Sequence, residues 1–261
     1  KALTWQGKRK LSVDTVPDPI LKADNDAIIQ VTSTGLCGSD LHLYEVLGPF
    51  MDKGDIIGHE PMGRVVEAGP TSNLNVGDRV VIPFNISCGT CWMCTRGLYS
   101  QCEITQVKEY DSGASLFGYS RLYGSVPGGQ AEYLRVPHAN FGPIHVGDDL
   151  PDHRYLFLSD VLPTAWQAVQ YADVGEGDTL AVYGLGPIGQ MAARIGRHLG
   201  ARVFGIDPVA ERRAMAARHG VEVFELNDDT NAAIRDLTEG RGPDAVVDAV
   251  DIVNWRDRLL Q

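Results

Sequence analysis

The stretch Thr179-Leu180-Ala181-Val182-Tyr183-Gly184-Leu185-Gly186-Pro187-Ile188-Gly189 decides the fold of the second part of this 261-residue chain. Its first five residues form a compact apolar run, which predicts a short buried strand. A glycine turn follows, and apolar residues then recur at helical spacing until Gly200 ends the pattern. The stretch therefore predicts a strand, a tight turn and a helix in immediate succession.

The turn has the pattern G-x-G-x-x-G, with a predicted strand before it and a predicted helix after it, which is the context of a dinucleotide site. Gly184 permits the tight turn, Gly186 lets the backbone approach a pyrophosphate, and Gly189 allows close packing of the helix on the strand. The helix N-terminus offers free N–H groups to the phosphates. The alternative is a glycine turn that binds nothing. The predicted cofactor-binding residues of the turn are Gly184, Leu185, Gly186, Pro187, Ile188 and Gly189.

An acidic residue, Asp207, stands at the end of the next predicted strand, 202–206. A carboxylate there accepts hydrogen bonds from ribose hydroxyls and repels a 2′-phosphate, which favours NAD over NADP. Arg212 and Arg213 keep NADP open as the second choice, because a nearby arginine can accommodate that phosphate. We therefore expect Asp207 and Arg212 to contact the cofactor, with NAD preferred.

Strands and helices continue to alternate beyond this turn. The pattern predicts further strands over 221–226 and 244–250, and hence an α/β Rossmann domain with a parallel sheet in the order 3-2-1-4. Residues 251–257 fit no further strand, and the sequence ends soon afterwards. We therefore expect the C-terminal part of this domain to be missing from the chain.

The first part of the chain follows a different pattern. Short β-branched runs predict strands that would form a small barrel or sandwich, over 27–31, 63–69, 78–82 and 130–136. The Gly- and Ser-rich stretch 111–129 has no clear period and is predicted to be a loop. The pattern changes after Pro151, and Pro163 is expected to open a helix. We accordingly predict a β-rich domain over 1–155 and an α/β domain over 156–261.

Composition limits the classes of function. The net charge of −11, from 23 basic and 34 acidic residues, disfavours nucleic acid or an anionic membrane as the main partner. No apolar run approaches the roughly 18 residues of a spanning helix, and the first residues lack the apolar core of a signal peptide. We expect a cytoplasmic protein whose partners include neither nucleic acid nor membrane.

Four of the five cysteines form the cluster C-x2-C-x2-C-x7-C, namely Cys88, Cys91, Cys94 and Cys102. An odd number of cysteines with four so close together is a poor disulfide framework and is typical of metal binding in a reducing compartment. Four thiolates fill a tetrahedral zinc and leave no position for substrate, so the predicted zinc is structural. The alternatives are unmetallated thiols and an iron–sulfur cluster, although the Cys-Pro of the ferredoxin pattern is absent.

The fifth cysteine lies in Gly35-Leu36-Cys37-Gly38-Ser39-Asp40-Leu41-His42, which places a thiol, a hydroxyl, a carboxylate and an imidazole within six residues. An open catalytic zinc site needs only three protein ligands, and zinc accepts sulfur, imidazole and carboxylate donors. Cys37 would supply the first ligand. His59 and Asp160 are the candidates for the other two, although Asp160 could instead cap the helix expected near Pro163.

The segment Gly35 to His42, the segment Gly58-His59-Glu60-Pro61, the four-cysteine cluster and the glycine turn occur in the order seen in zinc-dependent alcohol dehydrogenases. Over essentially its whole length the chain resembles that branch of the medium-chain dehydrogenase/reductase family. The resemblance implies a β-rich GroES-like catalytic domain, a Rossmann NAD-binding domain, and a catalytic zinc in the cleft between them. Cys37 and His59 match two zinc ligands. The third is a cysteine in many members and Asp160 here, as in the subgroup of glutathione-independent formaldehyde dehydrogenases.

The resemblance also implies roles for residues around these ligands. Asp40 matches the carboxylate that orients His59 by accepting its other ring proton. Glu60 matches a glutamate close to the metal that can replace water transiently. Phe84 and Thr164 match positions that line the substrate and nicotinamide pockets.

Ser39 and His42 match the proton relay of the family, in which the alcohol proton passes through Ser39 and the cofactor ribose to His42. A surface role is the alternative for His42.

The implied reaction is hydride transfer between an alcohol, or an aldehyde hydrate, and NAD, with one catalytic and one structural zinc per chain. The alternatives are a formaldehyde dehydrogenase or dismutase on the same scaffold, and a non-catalytic zinc- and nucleotide-binding protein if the chain is truncated. The full-length protein is expected to form a homo-oligomer, either a dimer or a tetramer.

Overall fold

The computed structural model of the protein describes residues 1–250. The chain folds into two compact units, Lys1–Asp160 and a second that begins at Val161. Each unit has its own apolar core, which a chain of this length can support. None of the helices in the described residues is long and apolar enough to cross a bilayer.

A hairpin opens the first unit and is formed by β1 (Ala2–Gly7) and β2 (Lys10–Asp14). The sequence pattern does not predict this hairpin, because β2 is short, carries a charged residue at each end and has no buried residue. The N-terminal strand is nevertheless anchored, since Trp5 is buried and its ring N–H donates to the carbonyl oxygen of Leu43 at 3.1 Å.

A five-stranded antiparallel sheet forms the centre of the first unit. Its members are β3 (Ala27–Thr34), β4 (Pro61–Ala68), β5 (Arg79–Val81), β6 (Tyr133–Val136) and β7 (Ile144–His145), in the order β6-β3-β4-β5-β7. Ile29 pairs with Val65 on one side and with Leu134 on the other, and all three side chains are buried. The four predicted strands are therefore confirmed, since their β-branched residues form this core.

A short helix, α1 (Asp40–Glu45), connects β3 to β4 and is not predicted by the sequence pattern. Six residues are too few to show a helical period. The helix buries Asp40 and Leu43, which are three positions apart and so lie on one face. Leu43 packs with Trp5 and Ile57 in a small core, and this packing holds the helix beside the sheet.

A four-stranded parallel sheet with helices forms the second unit. Its strands are β8 (Thr179–Tyr183), β9 (Arg202–Ile206), β10 (Glu222–Phe224) and β11 (Ala245–Asp248), in the order β10-β9-β8-β11. Its helices are α2 (Val161–Ala172), α3 (Pro187–His198), α4 (Ala210–Ala217) and α5 (Thr230–Asp236). This is the predicted order 3-2-1-4. The predicted lack of a strand over 251–257 lies outside the described residues.

The helix α2 begins at Val161, two residues before Pro163, which the sequence pattern predicts to open it. A proline at the third helical position costs little, because the first N–H groups of a helix have no intrahelical partner. Asp160 therefore directly precedes the helix and leads into it.

Close packing between β8 and α3 depends on glycine at two positions. Gly184 adopts φ +83°, which favours glycine because other residues rarely take this conformation. A Cβ atom at Gly189 would overlap the carbonyl oxygen of Gly184. With both glycines in place, Ala192 and Ala193 of α3 join the same buried cluster as Leu180 of β8.

Candidate metal centre and dinucleotide turn

Three segments of the first unit meet at the candidate catalytic metal centre. Cys37 lies in the turn between β3 and α1, His59 lies just before β4, and Asp160 is the last residue before α2. The pairing of β3 with β4 extends to Gly35, whose N–H donates to the carbonyl oxygen of Glu60 at 2.9 Å. Sheet pairing therefore sets Cys37 beside His59, whereas Asp160 joins Cys37 from 123 residues further along the chain.

Four potential ligand atoms, one each from Cys37, His59, Glu60 and Asp160, lie within 4.8 Å of one another. Asp160 Oδ2 is 3.9 Å from Cys37 Sγ and 3.3 Å from His59 Nε2. His59, Glu60 and Asp160 are buried, and Cys37 is half-buried. Sulfur, imidazole and carboxylate are donors that zinc accepts, so the chemistry of this set fits a zinc ion.

The charges around this centre favour a cation. Burial lowers the pKa of His59, but the Asp160 and Asp40 carboxylates and the Cys37 sulfur outweigh burial and raise that pKa to about 12. Burial raises the pKa of Glu60 to about 7, although His59 acts in the lowering direction. Within the described chain the buried Oε1 of Glu60 has no hydrogen-bond partner. A divalent cation would balance these clustered carboxylates and is the kind of partner that such an oxygen needs.

Asp40 contacts two of the candidate ligands. Its Oδ1 lies 3.1 Å from His59 Nδ1, a close approach that is not aligned as a hydrogen bond, and neither atom has another hydrogen-bond partner in residues 1–250. Its Oδ2 accepts the backbone N–H of Cys37 at 3.1 Å. One carboxylate on α1 therefore braces both the imidazole and the backbone that carries the thiol.

Ser39 and His42 are separated by a single turn of chain. The His42 N–H donates to the Ser39 carbonyl oxygen at 3.0 Å. The Ser39 hydroxyl lies 3.4 Å from His59 Nε2, and His42 is half-buried on α1. The hydroxyl is therefore within reach of a group bound at the centre, with the second imidazole one turn away from it.

The two residues expected to line pockets lie in different units. Phe84 is half-buried, and its N–H donates to the carbonyl oxygen of Ser159 at 3.1 Å. This bond attaches the Phe84 segment to the residue that precedes Asp160. Thr164 is half-buried in the first turns of α2, in the second unit, and its contact with a nicotinamide stays a prediction.

The four-cysteine cluster also converges, with the sulfurs of Cys88, Cys91, Cys94 and Cys102 within 4.8 Å of one another. The Sγ atoms of Cys88 and Cys94 are 3.9 Å apart, and those of Cys91 and Cys102 are 4.0 Å apart. A tetrahedral zinc with Zn–S bonds of about 2.3 Å places its sulfurs about 3.8 Å apart. These two sulfur pairs therefore have the spacing of a tetrahedral zinc, and all four sulfurs are close enough to share one ion.

Backbone N–H groups point at these sulfurs. The N–H of Cys88 donates to the sulfur of Cys102 at 3.4 Å, and the N–H of Cys91 donates to the sulfur of Cys88 at 3.3 Å. Burial raises the pKa of Cys88, but donors from Thr90 and Cys91 outweigh burial and lower that pKa below its ordinary value. Such donors stabilise the thiolate form that binds metal.

The glycine turn of the second unit has the form expected for a phosphate site. Gly186 is the N-cap residue of α3, and Pro187 is the first helical residue, with no side-chain cap. Proline has no N–H, so the unused donors at this helix start are those of Ile188 and Gly189. These donors, together with the positive end of the helix dipole, can hold an anion.

Asp207 is buried beside this turn, at the end of β9. Its Oδ2 accepts the N–H of Leu185 and its Oδ1 accepts the N–H of Val209, both at 2.7 Å. A guanidinium nitrogen of Arg212 lies 3.5 Å from Oδ2. Arg213 turns away from the carboxylate and donates to the Asp207 carbonyl oxygen at 2.7 Å. Asp207 and Arg212 therefore lie close together through their side chains, whereas Arg213 contacts the backbone of Asp207.

Tyr119 lies beside the candidate metal centre and is not predicted by any sequence motif. The stretch 111–129 is a loop, as predicted, with a single 3-10 turn at Arg121–Tyr123. Tyr119 of this loop presents its ring to the His59 ring at a centroid distance of 6.2 Å and an interplanar angle of 85°. No motif marks this tyrosine, because its partner is 60 residues away in sequence.

Comparisons with known proteins agree with both units. Residues 23–146 match the family model described as "Alcohol dehydrogenase GroES-like domain", and residues 187–259 match "Zinc-binding dehydrogenase". An uncharacterized zinc-type alcohol dehydrogenase-like protein AdhB of Bacillus subtilis is 44% identical over 257 residues, which cover 96% of this chain and 67% of that protein. The formaldehyde dismutase of Pseudomonas putida is 36% identical over 248 residues, which cover 90% of this chain and 60% of that protein.

A solved structure gives the same result. The alcohol dehydrogenase TADH from Thermus sp. ATN1 superimposes with a TM-score of 0.86 at 35% identity, over 99% of this chain and 73% of that chain. The chain spans about two thirds of the length of the curated relatives, 67% and 60% in the two cases above. The two sequence-derived domain types, GroES-like and Rossmann, are confirmed, and the chain belongs to the zinc-dependent alcohol dehydrogenases of the medium-chain dehydrogenase/reductase family.

Proposed function

We propose that this protein is an oxidoreductase that transfers a hydride between an alcohol, or an aldehyde hydrate, and NAD. One observation carries the proposal: ligand atoms from Cys37, His59, Glu60 and Asp160 lie within 4.8 Å of one another at a buried centre of the first unit. A zinc ion bound there would supply Lewis-acid chemistry, which lowers the pKa of a bound hydroxyl. A bound nicotinamide would accept or donate the hydride.

Side chains around the candidate centre would balance the metal charge, orient the imidazole of His59 and transfer the substrate proton. With a zinc ion bound, the Cys37 thiolate and the Asp160 carboxylate would balance its 2+ charge, and His59 would contribute a neutral imidazole. Asp40 holds the imidazole from its Nδ1 side and fixes the Cys37 backbone. The Ser39 hydroxyl, 3.4 Å from His59 Nε2, is placed to take the proton that the substrate hydroxyl loses. His42, one helical turn from Ser39, would pass that proton to solvent.

The cofactor assignment is supported by the second unit. The N–H groups at the start of α3 would hold the pyrophosphate, and Asp207 beside the turn would accept hydrogen bonds from the adenosine ribose. A structural zinc on Cys88, Cys91, Cys94 and Cys102 would make two zinc ions per chain. All five cysteines are free thiols, which suits a cytoplasmic location. We propose that the full-length protein forms a homo-oligomer.

A second candidate is a formaldehyde dehydrogenase or dismutase on the same scaffold. The presence of Asp160 in the ligand set favours it, since the sequence resemblance links that aspartate to formaldehyde-converting members. The relative from Pseudomonas putida is named a formaldehyde dismutase. A dismutase keeps its nicotinamide through oxidation and reduction, so it would consume formaldehyde without added NAD.

The experiment measures zinc by elemental analysis and NADH by absorbance, with a series of primary alcohols and with formaldehyde. We expect two zinc ions per chain and alcohol-dependent NADH formation. Turnover of formaldehyde without added NAD would replace the leading proposal by the second. Two bound zinc ions without turnover of alcohols or of formaldehyde would indicate a protein that only binds zinc and nucleotide. Fewer than two zinc ions per chain would rule out one of the two proposed zinc sites.

A further inference from the structure

A buried glutamine lies directly after the glycine turn and has no place in the proposed chemistry. Gln190 is 8% exposed, in the first turn of α3. Its Nε2 donates to two backbone carbonyl oxygens, that of Leu185 at 3.1 Å and that of Arg212 at 2.8 Å. Because both partners are acceptors, the amide nitrogen must face them, and the orientation of the side chain is determined.

Each of these carbonyls belongs to a residue that also contacts Asp207. Leu185 donates its N–H to Asp207 Oδ2 at 2.7 Å, and a guanidinium nitrogen of Arg212 lies 3.5 Å from the same oxygen. The contacts therefore close a ring of four residues, which we call the Gln190 bracket: Gln190, Leu185, Asp207 and Arg212. The ring links the glycine turn, the end of β9 and the start of α4.

We propose that Gln190 is a positioning residue for the cofactor. Through the bracket it holds the Asp207 carboxylate and Arg212 in a constant relation to the glycine turn. The pyrophosphate and the adenosine ribose are joined covalently, so both can be bound well only if the turn and Asp207 keep the correct spacing. This inference rests on the proposed NAD site and adds a residue that sets its preference for NAD over NADP.

The Gln190 bracket contributes more to the positions of Asp207 and Arg212 than to the free energy of unfolding. Gln190 Oε1 is buried and has no hydrogen-bond partner in the described residues. An unpartnered buried acceptor costs free energy, which offsets part of the gain from the two hydrogen bonds made by Nε2. Methionine has a similar length and no such acceptor, so Gln190→Met removes the unpartnered Oε1 together with the two hydrogen bonds made by Nε2 and releases the bracket.

The test compares Gln190→Met with the wild-type protein by titration with NADH, NADPH and ADP-ribose. The dissociation constants for NADH and ADP-ribose should each rise about tenfold, equivalent to about 1.4 kcal/mol. That for NADPH should rise by a smaller factor, because its 2′-phosphate cannot use Asp207 as an acceptor and can contact only Arg212 of the bracket. The control is Gln167→Met on α2, whose exposed amide donates to the Tyr171 hydroxyl at 2.7 Å, and it should bind all three ligands like wild type.

The outcomes separate this inference from the proposed function. A wild-type protein that binds neither NADH nor ADP-ribose overturns both. Tight wild-type binding with unchanged constants in Gln190→Met overturns the bracket alone. An equal loss for NADH and NADPH would also contradict it, since that pattern means general loosening of the fold. If Gln190→Met fails to fold, Gln190→Asn takes its place, because its amide is one methylene too short to span both carbonyls.

Discussion

The Asp40 carboxylate and the His59 imidazole face each other at 3.1 Å, and their side chains are only 3% and 4% exposed. The other oxygen of the same carboxylate accepts the N–H of Cys37. Asp40 therefore contacts both the imidazole of His59 and the backbone that carries the Cys37 thiol. We propose that this carboxylate would act on a bound metal through the ligands and not by direct contact.

We expect Asp40→Asn to weaken binding of the catalytic zinc by about 10–100-fold, the usual effect of losing such a partner. The four-cysteine zinc should remain. After dialysis against a moderate chelator, the wild type should retain two zinc ions per chain and the variant one. Glu45→Gln is the matched control, because Glu45 lies on the same helix and pairs with Arg9 at 2.6 Å. Two retained zinc ions in Asp40→Asn would contradict the bracing role.

Asp160 can be separated from a helix-capping role by two substitutions. Asp160→Asn keeps a side-chain oxygen that can cap α2 but removes the charge. We therefore expect the affinity for the catalytic zinc to fall by more than about 100-fold, a larger loss than that caused by removing a residue that only contacts a ligand. Asp160→Cys restores an anionic donor and should retain the metal. Zinc content and alcohol-dependent NADH formation check both. Unchanged values in Asp160→Asn would remove Asp160 from the ligand set.

The two zinc sites should be lost independently. Cys102→Ser breaks the four-cysteine site, whose loop has little apolar core of its own, and metal binding there contributes directly to folding. We expect one zinc per chain and a melting temperature lower by roughly 5–10 °C, equivalent to about 2–3 kcal/mol. Cys37→Ser should also retain one zinc but melt within about 2 °C of wild type. A similar loss of stability in both variants would contradict the division into structural and catalytic sites.

Acid stability should depend on the pair formed by Arg79 and Asp152. Burial raises the pKa of Asp152, but hydrogen bonds from Ser33 and Thr32 and the Arg79 guanidinium outweigh burial and lower that pKa from 3.8 to about 2. A lowered carboxyl pKa stabilises the fold above the unfolded value and is lost as pH falls through the folded value. The contribution is therefore complete above about pH 4 and disappears towards pH 2, with a size of about 2 kcal/mol.

Denaturant unfolding of wild type and Asp152→Asn, repeated from pH 7 to pH 2, measures this contribution. The difference between the two should be about 2 kcal/mol at neutral pH and should shrink below pH 4. Asp148→Asn is the control, since its pair with Arg64 is exposed on both sides and should contribute less than about 1 kcal/mol at any pH. A difference that does not vary with pH would show that Asp152 acts only through its shape.

The local elements of both units follow from the sequence. The strands Thr179–Tyr183 and Arg202–Ile206 have the predicted bounds, because apolar runs and turn residues are features of adjacent positions. The four-cysteine site was also predictable, since its donors lie within one short loop and their spacing alone brings them together. The helix α1 was not predictable, because its six residues are held by packing on Trp5 and not by a period of their own.

The sequence by itself determined two domain types, a thiolate cluster and a glycine turn, all of which depend on residues close together in the chain. Only the tertiary structure decided that Tyr119 lies against His59 and that Gln190 joins Leu185 to Arg212. It also places Asp160, which the family resemblance names as the third ligand, 3.9 Å from Cys37 across 123 residues. Such contacts follow no local period. They arise when separate elements pack, so the chemistry of each site depends on the fold as a whole.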